Sequence, residues 1–238
     1  MGALTLAPAR AMLAPVTTTG EGIGALRDEF LSALMDRDAA RARAVVEDGV
    51  AAGVPPGDIE LDVVQPALYD VGHHWAMGDL NVAEEHYATG VAQGVLALLG
   101  ARMRVAPSGG RLAVVTATPG ELHALGPRIV ADFLEADGWE VLHLGASTPA
   151  PDLAQLVDHE CPDLVALSTS TAGSVPGIAE VLGRLRPLRP RPFVVVGGQF
   201  WTAEASRSAH ELGADAVARD PRMLVALARN RIPPREDS

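Results

Sequence analysis

Apolar residues recur at two different periods along this chain, and the change from one to the other falls near residue 105. From Gly22 to about Met103 the spacing is helical. Ile23, Leu26, Phe30, Leu31 and Leu34 lie three and four positions apart in one stretch and predict a first amphipathic helix. Ala39 to Ala52 predicts a second, and Pro56 to Trp75 a third with Ile59, Val63, Ala67, Leu68 and Val71 on its inner face. Gly78-Asp79 breaks the period. Asn81 then caps a fourth helix, with Glu84 three positions on as in a capping box, and that helix runs to about Ala101. Short polar turns between such helices predict an antiparallel four-helix bundle over 21–106.

Residues 107–110, Pro-Ser-Gly-Gly, read as a linker. Beyond it, apolar runs at Leu112–Thr116, Val141–Leu144, Leu164–Ser168, Phe193–Val196 and Ala214–Ala218 alternate with helical stretches at 126–137, 150–158, 176–186 and 220–230. This alternation predicts a doubly wound, Rossmann-like (flavodoxin-like) domain with a five-stranded parallel sheet over 111–232. Residues 1–20 read as a disordered leader and 233–238 as a disordered tail. Ligands of such sheets sit outside the carboxyl ends of the strands, so the loops beginning at Ala117, Gly145, Thr169 and Gly197 are the ones to watch.

Composition narrows the chemistry. The 238 residues carry a formal charge of −11, which disfavours direct nucleic-acid binding. All 19 basic residues are arginine, so lysine Schiff-base chemistry and a Walker A loop are both excluded. The single cysteine, Cys161, excludes an internal disulfide and any cysteine metal cluster; it precedes the third strand, at the end away from the ligand loops. No apolar run approaches the roughly 18–20 residues of a membrane span, and no signal peptide opens the chain. A cytoplasmic protein without membrane attachment is expected.

After the first predicted strand comes Pro119-Gly120-Glu121-Leu122-His123-Ala124-Leu125-Gly126. Taken alone, His123 is a surface-loop histidine. Glu121, two positions earlier, changes that: a carboxylate there can accept from one ring nitrogen, fix the tautomer and raise the basicity of the other. One histidine with no second ligand nearby holds a bare ion poorly but suits a metal already set in a macrocycle. Gly126 allows close approach at the next helix, Ser168 offers a hydroxyl at the end of the third strand, and Gly197-Gly198 open a slot after the fourth.

Glu-x-His-x-x-Gly, then Ser168-x-Ser170 beginning 42 residues after Gly126, then Gly197-Gly198 after 26 intervening residues, resembles the cobalamin-binding fingerprint Asp-x-His-x-x-Gly…Ser-x-Leu…Gly-Gly. The resemblance implies that cobalamin binds without its own benzimidazole on the metal, with His123 as lower cobalt ligand and Glu121 as its partner. Ser168, Gly197 and Gly198 would line the cleft for the nucleotide tail. Glu121 stands where aspartate is usual, adding a methylene. Ser170 stands where leucine is usual, making that part of the cleft more polar.

On the fourth helix Val82, Glu85, His86 and Thr89 share one face. The bland reading is a solvated helix edge, with Trp75 a core residue. Trp75, nine intervening residues, then Glu85-His86 also resembles the Trp-x9-Glu-His pattern of the adenosylcobalamin-dependent photoreceptors of the CarH type, with Val82 at an apolar cap position. That resemblance covers about residues 22–230. It implies adenosylcobalamin roofed by Trp75, with light breaking the cobalt–carbon bond and shifting the cap or the assembly of a homo-oligomer, a dimer being favoured. Those photoreceptors carry an N-terminal helix-turn-helix domain; here about twenty residues precede the bundle, so signalling to an unidentified downstream protein partner is expected instead. The histidine that can ligate cobalt after illumination in CarH is replaced by Ala76, with His73 and His74 just upstream. A sensory chain without an output domain is also similar to the stand-alone photocobilins, which adds noncovalent biliverdin as a second cofactor. The alternative is a corrinoid carrier passing methyl groups between methyltransferases, and a third reading is a cobalamin storage module.

Overall fold

A computed structural model describes residues 20–202 and 205–234. The chain divides into two units, the boundary falling between Leu99 and Gly100. Of the expected leader, all but Gly20 lies outside the described residues, as does 235–238 of the expected tail.

The first unit is helical: α1 (Gly20–Met35), α2 (Ala39–Ala51), a continuous third helix built from α3 (Pro56–Ile59), a π turn (Glu60–Val64) and α4 (Gln65–Met77), then α5 (Val82–Gly100). Leu26, Phe30, Leu34, Ile59, Val63 and Val71 are buried on the faces that the apolar spacing predicts, and Val45, Val95 and Leu99 are buried with them. Widening of the third helix to a π turn is not visible in that spacing. Pro66, two residues beyond the turn, has no N–H to donate and a ring that crowds the preceding turn, conditions under which an α-helix distorts. The capping box forms as expected. The Asn81 side chain accepts from the N–H groups of Ala83 and Glu84 at 2.9 and 3.1 Å, and Glu84 accepts from the Asn81 N–H at 3.0 Å. Arg37 ties the α1–α2 turn to α5 through Glu84 at 2.7 Å, and the Tyr87 hydroxyl donates to its carbonyl.

The second unit is a five-stranded, all-parallel sheet of order β2-β1-β3-β4-β5, the flavodoxin-like arrangement. Its strands are β1 (Leu112–Ala117), β2 (Glu140–Gly145), β3 (Leu164–Ser168), β4 (Phe193–Gly197) and β5 (Ala216–Ala218). Val114, Val165, Leu167, Val194 and Val196 bury one face against α7 (Ala150–Glu160), α8 (Val175–Leu185) and α9 (Ser206–Leu212). Ala113, Val115, Leu164, Ala166 and Val195 bury the other against α6 (Leu125–Ala136) and α10 (Pro221–Arg231). Both faces are covered, which is why the central strands read as unbroken apolar runs. The Pro107–Gly110 stretch is not a free tether: the Ala106 N–H donates to Ala136 at 2.9 Å and the Gly109 N–H to Gly138 at 3.0 Å, laying it along the α6–β2 turn.

Candidate functional site

At the carboxyl end of β1 the chain makes a tight turn, closed by the Glu121 N–H donating to the Thr118 carbonyl at 2.9 Å, with Gly120 at a φ of 82° that a side chain would oppose. The Thr118 N–H in turn donates to the carbonyl of Ser168, so the turn is fastened to the end of β3. These bonds bury Glu121 to 1 % exposure while the His123 side chain stands 66 % exposed.

Six donors converge on the Glu121 carboxylate. His123 supplies its backbone N–H at 3.1 Å and its Nδ1–H to Oε1. From the loop after β3 come the N–H groups of Ser170 and Thr171 at 2.8 and 3.1 Å and the hydroxyls of Thr171 and Ser174 at 3.4 and 3.3 Å, all to Oε2. Burial alone pushes this carboxyl up. The bonds from the His123 ring, the Ser170 N–H and the His123 N–H outweigh it and hold the pKa at about 2, so Glu121 is an anion at neutral pH. An anion that accepts at Nδ1 assigns the proton there and leaves the lone pair on Nε2, the exposed side of the ring.

Among the described residues no group of three or more histidine, cysteine, aspartate or glutamate side chains could hold a metal ion. His123 would therefore offer a bare ion too few ligands to hold it. A tautomer-fixed, exposed imidazole fits a metal whose other positions a macrocycle fills, and that donor set fits a corrinoid.

Gly126, in the first turn of α6, is where the structure meets the sequence expectation of a close approach: a Cβ there would lie 3.3 Å from the Ser168 hydroxyl. Ser170 belongs to the same cluster, through its backbone N–H to Glu121. The slot expected at Gly197-Gly198 is occupied by the chain itself. A Cβ on Gly197 would lie 2.8 Å from the Ala218 carbonyl, and one on Gly198, at a φ of 103°, would run into the Thr169 backbone. Their missing side chains serve strand-end packing in this structure. Ser174, buried, and Thr171 escaped the sequence reading. Both sit in the Ser/Thr-rich run after β3, and that density is the one signal that marks them.

In the helical unit the predicted residues gather at the α4–α5 corner. Trp75 is 51 % exposed and Val82 55 %, so the core reading of Trp75 is wrong. Glu85 is half-buried and accepts from the Thr89 hydroxyl at 2.8 Å; His86 is exposed, its Nε2 3.6 Å from Glu85. Upstream, His74 pairs with Asp79 at 3.1 Å, and His73 packs edge-on to the His74 ring.

Two family models described as B12 binding domains match the chain, one over residues 26–99 and the other over 111–227. The transcriptional repressor CarH of Myxococcus xanthus is 34% identical over 193 residues, covering 81% of this chain and 62% of the repressor. The repressor CarA of the same organism is 36% identical, over 62% of this chain and 50% of its own length. This chain thus spans half to under two thirds of those two relatives. A dimethylamine corrinoid protein of Methanosarcina acetivorans is 28% identical over 75% of this chain and 84% of its own. Among solved structures, the monomethylamine corrinoid protein of Methanosarcina barkeri superposes with a TM-score of 0.73 at 21% identity, over 87% of this chain and 98% of that one, a likeness of fold. The chain belongs to the cobalamin-binding proteins, with a helical B12 binding domain followed by a flavodoxin-like one.

Proposed function

We propose that this chain is a light-sensing signalling protein that holds adenosylcobalamin with the benzimidazole displaced and His123 as the lower cobalt ligand. The observation that carries the lower-ligand assignment is the buried Glu121 anion bonded to Nδ1 of an otherwise exposed imidazole. When bound, the cofactor supplies a corrin that absorbs visible light and a cobalt–carbon bond that light breaks. The chain's own residues do the rest. Glu121 keeps the proton on Nδ1 so that Nε2 remains a donor. Gly126 and Ser168 edge the cleft for the nucleotide tail, while Gly197 and Gly198 let the strand ends beside it pack closely. Resemblance assigns Trp75, Val82, Glu85 and His86 to the upper face, and the exposure of Trp75 and Val82 supports this by leaving both apolar side chains open to a ligand. These side chains would rest against the adenosyl group while it is bound and would lose that support without it, making the helical unit a two-state element biased by a ligand.

The output in this reading is a change of cap geometry or of homo-oligomeric assembly, read by a downstream protein in the cytoplasm, with no substrate turned over. The match to CarH together with the Trp75…Glu85-His86 pattern supports light sensing. Biliverdin is proposed as a second chromophore. A groove of about 340 Å³ between α2 and α5, with Arg43, His86 and Tyr87 at its rim, offers a guanidinium for a propionate. The test is to load the protein with adenosylcobalamin in the dark, illuminate it, and follow absorbance, elution volume and tryptophan emission. If the reading is right the absorbance changes, and with it the elution volume or the tryptophan emission; cobalt–carbon cleavage that leaves both of the latter unchanged contradicts it. Added biliverdin gives a red-absorbing bound band, or else the second chromophore is withdrawn.

The second reading, a corrinoid methyl carrier, is favoured by relatives such as the dimethylamine corrinoid protein, which this chain matches over 84% of its length. It predicts methylation of the reduced cobalamin form by a partner methyltransferase and no assembly change in light.

A further inference from the structure

We infer that Ser147 is a positioning residue for the His123 loop, its hydroxyl capturing the Gly120 N–H and so setting where Glu121 and His123 stand. The inference rests on the lower-ligand reading above. Among the described residues three non-glycine residues have a positive φ: Arg37 at 57°, Ser147 at 49° and Cys161 at 48°. Arg37 follows α1 and Cys161 caps α7, the places where a left-handed residue commonly ends a helix. Ser147 ends no helix. It lies between β2 and α7, at the carboxyl edge of the sheet, in a conformation that costs free energy for a residue with a Cβ and persists only where its surroundings impose it.

The surroundings here are specific. The next residue, Thr148, is fixed to Thr116 by a hydroxyl–hydroxyl bond of 2.8 Å, and Pro149 is the N-cap residue of α7. Between these anchors and β2 the chain turns at Ser147, and its Oγ accepts from the Gly120 N–H at 3.0 Å. That N–H is the one the Thr118–Glu121 turn leaves over, since the turn closes through the Glu121 N–H. On another side of the same turn, Gly177 lets α8 come against Pro119; a Cβ on Gly177 would lie 2.6 Å from the Pro119 carbonyl. The carboxylate bonds fix the Glu121 side chain. Ser147 fixes the backbone from which that side chain springs.

The test uses Ser147→Ala, which removes the acceptor and keeps the strain, and Ser147→Gly, which removes both and suits a positive φ, so that the fold is kept. Three quantities are measured: exchange of the Gly120 amide in the cofactor-free protein, affinity for cob(II)alamin, and, with ¹⁵N-histidine in the protein, the share of bound cob(II)alamin whose electron paramagnetic resonance shows an axial ¹⁵N. Both variants should speed Gly120 exchange, weaken binding by roughly two- to tenfold, the worth of one hydrogen bond, and lower the axial-¹⁵N share. A glycine variant equal to wild type in all three overturns the assignment. If wild type itself shows no axial histidine, the lower-ligand reading fails and Ser147 no longer positions a ligand; unchanged Gly120 exchange in both variants would instead refute the Ser147 bond alone.

Discussion

A carboxylate two residues before a histidine is an ordinary sequence feature; six donors closing on it from two loops make it a device. Glu121→Gln keeps the shape and removes the charge that fixes the His123 tautomer, and cobalamin affinity should fall roughly 10- to 100-fold in a spectroscopic titration. Wild-type affinity in that variant would reduce Glu121 to a loop anchor. The sequence already exposed Glu121 and His123 through their spacing. It could not expose Thr171 and Ser174, because they meet Glu121 only after the chain has crossed the sheet, some fifty positions on. A second residue has a pH consequence. His143 on β2 has its Nε2 buried without a partner among the described residues; burial lowers its pKa below the usual 6.5, the Arg128 guanidinium adds to this, and Asp132 opposes it. The unfolded chain then takes up this proton first, so stability of the cofactor-free protein falls as pH drops below about 6.5 and levels out once the folded state is protonated too. His143→Leu should flatten that part of the curve of melting temperature against pH; an unaltered slope would assign it to other groups.

At the level of elements, long periodic segments were legible and short or crowded ones were not. All five strands and the helices α6, α7, α8 and α10 stand within a few residues of where their patterns put them. The fifth strand begins at Ala216, not Ala214, because Gly213 ends α9 in the left-handed region and the Ala214 N–H is still bonded back to Ala209. The helix α9 itself went unread, since its seven residues Ser206–Leu212 offer only Ala209 and Leu212 as apolar marks. Glycines separate packing from propensity. Gly198→Ala must place a methyl against the Thr169 backbone at positive φ and should cost well over about 1 kcal/mol in urea unfolding. Gly183→Ala, on α8 with nothing within 4 Å, should stabilise by about 0.5–1 kcal/mol. Equal effects would mean that the close approach at Gly198 is absent in solution. The Asn81 cap is worth about 1 kcal/mol, so Asn81→Ala should lower stability by that amount.

For the molecule as a whole, two B12 binding domains in one chain give a cobalamin-binding protein, and each reading of what it does with the cofactor rests on the lower ligand. The acidic, lysine-free composition bears on this only by excluding other chemistry; neither charge nor patterning points to a partner. Sensor and carrier readings both require a protein imidazole on cobalt, so that bond is the claim to test first. Protein labelled with ¹⁵N-histidine, loaded with unlabelled cob(II)alamin and frozen, reports the axial nucleus directly through electron paramagnetic resonance. Splitting of the signal into doublets means that a protein histidine holds the metal, as predicted, and it should vanish in His123→Ala. Triplets from ¹⁴N in the labelled wild type would mean that the benzimidazole never left, and would contradict the account at its root.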